Sequence, residues 1–510
     1  MKKTLFRIII FGMVIIMACS CSSKEKQAEQ VAQNNQDLIE SLNRFTSLQK
    51  QIAEKAIKMP AENNPAVLHK FNADPAVLVY NDTVYIYCTN DSQQAEFSLG
   101  KADNAYDKIN TLNVFSSKDL VNWTDCGIIK VAGPNGAAKW ARNSWAPAIC
   151  TKKIDGKDKF FLYFADSANG IGVLSADSPV GPYVDPIGKA LVSRGMPGID
   201  GVHWLFDPAV IVDDDGTGYI YFGGGHQEEF IHPKSARCAQ LGDDMISLAT
   251  VPAEIDAPFL FEDSGINKIG DTYYYSYCSN WQSRDGVKAN PMIPIAVIAY
   301  MTSKNPLGPF EYQGYTLENP GTYFGAWGNN HHWIFNFRGK YYIAYHAQII
   351  EKTIGFTKGG YRNLMITDFK VNDNGSWPIQ AAKKTGVAQS GTFNPYEEIP
   401  AATMCYSRNM IVSSQQTLYA LKDGAYVCIK GVDFAKGGAK VVVKVASGHK
   451  GGTVEFRADH FANGDVLAKL DVKAGEEAVT ADFTAPAGNQ PHDLYITISG
   501  DVEVQTWKIQ

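Results

Sequence analysis

The sequence predicts an all-β protein: a five-bladed β-propeller, then a jelly-roll-like β-sandwich, with a short helical spacer in front. Three observations predict it. A hairpin pattern recurs five times between residues 73 and 345. Aromatic residues crowd into the second strand of each copy. After residue 380 the pattern changes to short strands between Gly-rich turns. The 510-residue length calls for more than one domain. With 45% hydrophobic and 20% charged residues, disorder is excluded as the main state. Basic residues number 47 against 53 acidic, and no basic run occurs, which argues against a nucleic-acid partner.

The N-terminus reads as an export signal at 1–18. Lys2, Lys3 and Arg7 precede the apolar run IIIFGMVIIMA, which is too short to span a bilayer as a mature helix. It ends at Ala18-Cys19, an order that resembles a bacterial lipoprotein signal and implies a lipid on Cys19, with Cys21 as the alternative. The protein is then expected to be exported and tethered to a membrane from outside the cytoplasm, on the periplasmic or cell-surface side. Residues 19–60 are a polar spacer. Leu38, Ile39, Leu42, Phe45, Leu48 and Ile52 recur at three- and four-residue steps, so the spacer is expected to be helical up to Pro60. The seven remaining cysteines are widely spaced with no CxxC pair, which gives no zinc site.

The propeller is expected over 61–382. ADPAVLVYNDTVYIY (73–87) and FDPAVIVDDDGTGYIY (206–221) share Asp-Pro-Ala-Val, an apolar strand, a turn and a Tyr-Ile-Tyr strand. Looser copies are WAPAICTKKIDGKDKFFLYF (145–164), EDSGINKIGDTYYYSY (262–277) and HHWIFNFRGKYYIAY (331–345). Each is a hairpin signal. The copies are spaced by 55 to 71 residues, room for about four short strands each, which suggests propeller blades. One large β-sandwich is the competing arrangement. Tyr85, Tyr87, Tyr163, Tyr221, Tyr275 and Tyr345, among others in the second strands, are expected to pack between blades.

The start of each innermost strand lines a propeller's axis. Aligning the copies puts Asp74, Trp145, Asp207, Glu262 and His331 there. One axial acid could be a turn residue; three carboxylates converging on one cavity point to acid–base chemistry.

Asp74 in NADPAV, Asp207 in FDPAV and Glu262 in FEDSGINKIGDTYYYSY resemble the three-acid pattern of glycoside hydrolase family 43. Trp145 in SWAPAI and His331 in GNNHHW resemble its other blade motifs, so the likeness spans about 65–380. It implies a five-bladed propeller that releases arabinose or xylose from plant-type glycans with inversion. It implies Asp74 as general base, Glu262 as general acid, and Asp207 as the group that tunes and orients the acid. An α-L-arabinofuranosidase, a β-xylosidase or both are expected. The alternatives are an endo-arabinanase and a glycan-binding lipoprotein without catalysis, and the three intact acids argue against the last. Asp256 in IDAPF competes with Glu262, but Asp has the shorter reach, and Glu262 keeps the family acid's spacing to its strand.

Family members often hold an axial calcium ion through one His and waters, which makes His331 the metal candidate, against a neutral hydrogen-bonded His; no organic cofactor is implied. Candidate sugar contacts are Trp145, Trp281, Trp327 and Arg362, with Trp204, Phe324 and Asn72 behind them. Indole faces suit sugar C–H surfaces, and a guanidinium can fork onto hydroxyls.

Residues 383–396 read as a linker and 397–510 as a β-sandwich. The sandwich resembles carbohydrate-binding module family 6 in DGAYVCIKGVDF, GGAKVVVKVAS and GGTVEF. The family's loop Trp is not evident in 476–488, and Trp507 has Thr506 beside it, so glycan binding by this domain is in doubt.

Overall fold

Two-residue turns with positive φ at both central positions close three of the expected hairpins: Asn81-Asp82, Asp155-Gly156 and Arg338-Gly339. Such turns match the twist of the strands they join, and Asn, Asp and Gly accept that conformation most readily. The computed structural model describes residues 44–225 and 228–510. The predicted export signal, Cys19, Cys21 and the spacer up to residue 43 lie outside them. Among the described residues no helix is long and apolar enough to cross a membrane.

Five antiparallel sheets follow in order. Blade 1 is Ala73–Tyr80, Thr83–Thr89, Thr111–Ser117 and Trp123–Lys130. Blade 2 is Trp145–Ile154, Lys157–Ala165, Gly170–Ala176 and Val192–Ser193. Blade 3 is Ala209–Val212, Gly218–Phe222, Ala236–Gln240 and Ala253–Ile255. Blade 4 is Leu260–Ile269, Thr272–Ser279, Ile298–Ser303 and Glu311–Leu317. Blade 5 has three strands, His332–Phe337, Lys340–Ala347 and Asn363–Phe369. The innermost strands touch their neighbours in sequence, and that of blade 5 touches that of blade 1, so the ring closes.

Chain segments from outside the blades complete two of them. Asn64 and Ala66 hydrogen-bond to Ile366 and Leu364 along the edge of blade 5. Thr403–Met404 pairs with Trp123 and Thr124 and becomes a fifth strand of blade 1. An exposed sheet edge invites unwanted pairing, and both segments cover one.

Three of the second-strand tyrosines sit between blades and spend their hydroxyls there. Tyr87 donates to the Pro179 carbonyl of blade 2 at 2.6 Å, Tyr163 to Met245 of blade 3 at 2.7 Å, and Tyr221 to Pro306 of blade 4 at 2.5 Å. Each is fully buried. A buried phenol is stabilised by an acceptor, so these bonds link neighbouring blades as well as filling space.

Residues Ser47–Lys55 are helical, but not a free spacer. Leu48 and Ile52, one turn apart, bury themselves against Leu68, Phe71, Ile350 and Ile354. Gln51 Nε2 donates to the Ile354 carbonyl at 2.7 Å. A stripe of apolar residues on a short helix needs such a partner, since a helix of this length is marginal alone.

The sandwich has two sheets. One runs Tyr406–Arg408, Ala425–Val432, His492–Asp501, Gly451–Ala458, Val466–Lys473. The other runs Met410–Val412, Leu418–Ala420, Glu503–Ile509, Lys440–Val445, Ala478–Asp482, with Ile399–Pro400 beside Glu503–Ile509. Val427, Val443, Phe456, Ile496 and Trp507 lie in the shared core. Trp507 is a core residue, which removes it as a ligand contact. From Leu48 to Gln510 the chain is one compact unit. The segment 383–396 forms no strand, yet Val387 is buried with the propeller core and Phe393 packs on that of the sandwich. Asn122 of the propeller exchanges two hydrogen bonds with the backbone of Lys430 in the sandwich.

Candidate active site

Bulges mark the starts of the innermost strands of blades 1, 2 and 4. Register shifts fall between Ala73 and Ala76, between Trp145 and Ala148, and around Glu262 up to Gly265. Asp74, Ala146, Asp207 and Asp263 occupy matching places, with φ of 46°, 38°, 48° and 69°. Each stands two residues before a paired residue of its strand: Ala76, Ala148, Ala209 and Gly265. Asp tolerates this left-handed conformation better than most residues, and bulges are used to re-aim side chains.

This corrects the alignment of the copies. Asp74 and Asp207 are equivalent, but the residue equivalent to them in blade 4 is Asp263. Glu262 and Trp145 stand one position earlier, and Glu262 reaches the axial cavity from there with its longer side chain. Blade 5 has no register shift, and its innermost strand starts just after His331.

The structure brings Asp74, Trp145, Asp207, Glu262, His331 and Arg362 to one axial cavity of about 430 Å³. Trp204 joins them, as do Tyr106, Phe206, Phe261 and Asn329, which the sequence reading missed. That volume suits a small ligand. Trp204 stands edge-on between Phe206 and Phe261, with ring centroids 5.4 and 5.2 Å away. Gly225 permits this: a Cβ there would come within 2.7 Å of the indole, and its φ of 108° suits glycine. The Trp145 indole N–H donates to the Tyr106 carbonyl at 3.1 Å.

Arg362 sits differently from the expected sugar fork. Nε and Nη2 donate to the two oxygens of buried Asp91, each at 2.8 Å, and Nη1 donates to Asp74 Oδ1 at 2.7 Å. It lines the cavity, yet its fork is committed to carboxylates. Asp91 opens the helix Asp91–Ser98, just beyond the second strand of blade 1.

The acids are shifted in opposite directions. Burial pushes the Asp74 carboxyl up, but Arg362, His346 and His331 outweigh it and hold Asp74 well below the usual carboxylate range. All three approach Oδ1, at 2.7, 3.2 and 3.6 Å. Glu262 is pushed well up, by burial first and then by Asp207, Asp74 and Asp263. Its Oε1 is buried without a hydrogen-bond partner. Asp207 is also pushed up, by burial and then by Asp74, while its Oδ2 accepts the Asp263 N–H at 3.0 Å. After burial, Asp207 is the largest of the charges that push the Glu262 carboxyl up.

His331 directs Nε2 to Asp263 at 3.1 Å, and Nδ1 lies 3.6 and 3.8 Å from Asp74 and Asp207. Burial lowers its pKa, opposed by Asp263 and Asp74. Calcium takes roughly six to eight oxygen ligands. Among the described residues no group of three His, Cys, Asp or Glu side chains could hold a metal ion. The expected site, one histidine completed by waters, would use a ring nitrogen of His331 as its protein ligand.

Other candidates fall outside the cavity. Asp256 is exposed and pairs with His232 at 3.0 Å, which favours Glu262 as the acid. Asn72 is buried, with its amide bonded to Lys70 and Asn113. Phe324 packs against the core between blades 4 and 5. Trp281 and Trp327 pair with each other rather than line the cavity.

The model of the glycosyl hydrolases family 43 matches residues 63–378, and that of the family 6 carbohydrate binding module matches 401–510. An arabinoxylan arabinofuranohydrolase of Bacillus subtilis (strain 168) is 44% identical over 440 residues, 82% of this chain and 85% of the relative. One of Paenibacillus polymyxa is 42% identical over 467 residues, 87% of this chain and 73% of the relative. The crystal structure of a family 43 arabinoxylan arabinofuranohydrolase from Bacillus subtilis, in complex with cellotetraose, superposes with a TM-score of 0.84. The two share 41% identity over 90% of this chain and 99% of that one. Five closed blades, three axial acids and the matched family model agree: the chain belongs to glycosyl hydrolase family 43 and carries a family 6 carbohydrate-binding module at its C-terminal end.

Proposed function

We propose that this glycosidase is an inverting α-L-arabinofuranosidase that removes arabinofuranosyl side groups from arabinoxylan. One arrangement carries the mechanism: within one cavity, Arg362 donates to Asp74 and holds its carboxyl low, while burial and neighbouring acids push the Glu262 carboxyl up and leave Oε1 unpartnered. Asp74 takes a proton from a water as the water oxygen bonds to the anomeric carbon. The glycosidic bond breaks, and Glu262 gives its proton to the departing oxygen of the main chain. Asp74 ends protonated and Glu262 ionised, and a proton passing through solvent resets the pair. Trp145, Trp204, Phe206 and Phe261 supply the apolar walls that exclude bulk water. The choice of arabinoxylan rests on likeness to the two arabinoxylan arabinofuranohydrolases.

Arabinose is the expected product from wheat-type arabinoxylan, with the main chain left uncut, and aryl α-L-arabinofuranosides are expected to be cleaved faster than aryl β-xylosides. Chromatography of the products checks both. Shortened main-chain fragments would favour an endo-acting enzyme, and no product from any of these substrates would favour a binding protein.

Export and a lipid on Cys19 belong to the same reading, supported by the charged and apolar segments before it. Palmitate labelling in a bacterial host is expected for the parent and lost in Cys19→Ala. Equal labelling of both would move the anchor to another residue.

A further inference from the structure

Trp281 and Trp327 are the two tryptophans among the large apolar side chains left exposed, at 37% and 55%. Their rings meet edge to face, 6.5 Å apart at 71°, so they form an open corner. Burial would have stabilised each by a few kcal/mol, so two exposed indoles side by side need a reason.

Both stand on pinned loops. Asn280, beside Trp281, is buried; its backbone N–H donates to the Phe259 carbonyl at 2.7 Å and its Nδ2 to that of Phe230 at 2.7 Å. Arg284 staples the same loop, donating to Ile293 at 2.7 Å and to Asn280 Oδ1 at 2.8 Å. Trp327 rests on Gly321, where a Cβ would come within 2.6 Å of its ring. Buried Asn319 ties its loop, donating to the Gly328 carbonyl at 2.8 Å. Rings held in place lose little entropy on binding.

Both loops lead to the catalytic cavity. Asn329, two residues after Trp327, lines it. Trp281 follows by three residues Cys278, the strand partner of Glu262. We infer that Trp281 and Trp327 form a platform at the cavity mouth that stacks on the pentose main chain while a side group occupies the cavity. This rests on the reading that the cavity takes an arabinofuranosyl branch, because the rest of such a substrate must leave through the mouth. Flat indoles suit the C–H faces of neutral sugar rings.

Two measurements test the platform. For Trp281→Ala and Trp327→Ala, kcat/KM on arabinoxylan divided by that on an aryl α-L-arabinofuranoside is expected to fall roughly tenfold. Trp281→Tyr and Trp327→Tyr, which keep a flat ring, are expected to retain most of the ratio. Separately, the Glu262→Gln chain is expected to be retarded in gels containing arabinose-free xylan, and adding Trp327→Ala is expected to lower that retardation. The second assay needs no turnover. If the parent releases no arabinose while retardation still depends on Trp327, the platform stands and the branch reading fails. If arabinose is released but neither ratio nor retardation changes, the platform is overturned.

Discussion

Replacing Glu262 with Gln is expected to lower kcat/KM on arabinoxylan by roughly 10²–10⁴-fold, the usual contribution of a positioned general acid. The departing main-chain oxygen is a poor leaving group without a proton. A dinitrophenyl glycoside, whose leaving group needs none, is expected to be cleaved at a rate far closer to the parent's. Stability should move the other way. Burial, with Asp207, Asp74 and Asp263 close by, holds the Glu262 carboxyl above its ordinary value of 4.5. The folded chain then binds a proton that the unfolded chain has released, so stability falls as pH rises from that value through the raised one. Gln removes this titration. Thermal midpoints at about pH 5 and about pH 8 are expected to show the variant gaining on the parent as pH rises. A variant that loses activity on both substrates and stability together would make Glu262 a structural residue.

Arg362→Met is expected to be the most damaging single change in the site. Arg362 neutralises Asp74 and Asp91 at once, and all three are buried. Removing one partner of a buried pair costs about 3–5 kcal/mol, because the other charge is left uncompensated. For Asp74 the sign is the reverse of that for Glu262. Its folded pKa lies below the unfolded one, so its contribution is present above the ordinary Asp range and lost as pH falls through the depressed value. Without Arg362, burial dominates and the carboxyl moves up. Denaturant midpoints are expected to drop, and the acid limb of kcat/KM is expected to shift to higher pH. Asp91→Asn, which keeps the Arg362–Asp74 pair, is expected to shift the limb less. A parental acid limb in folded Arg362→Met would contradict the role given to this pair.

The five blades were legible because the motif repeats and its turns obey short-range rules. Asp-Pro-Ala-Val and Trp-Ala-Pro-Ala mark strand starts, and Asn-Asp, Asp-Gly and Arg-Gly mark the hairpins. Asp74, Asp207 and Glu262 were legible for the same reason. The alignment of Glu262 with Asp74 failed because a bulge hides a one-residue offset. Aligning Asp-Ser-Gly-Ile with Asp-Pro-Ala-Val would have placed Asp263 instead. Asp91 and Tyr106 carry no repeat signal, since they come from segments peculiar to blade 1. The strand Thr403–Met404 is too short to announce itself, and its pairing with blade 1 spans about 280 residues of chain. Trp281 and Trp327 were visible as residues, but only the fold sets them together.

In the mechanism we propose, Asp74 and Glu262 act together on a water and a leaving oxygen, which would invert the anomeric carbon in a single step. Proton NMR during the first minutes of hydrolysis of an aryl α-L-arabinofuranoside reads this directly. β-Arabinofuranose is predicted to appear first and then to mutarotate. If α-arabinofuranose forms first, a covalent intermediate is at work, and the division of labour between Asp74 and Glu262 is wrong.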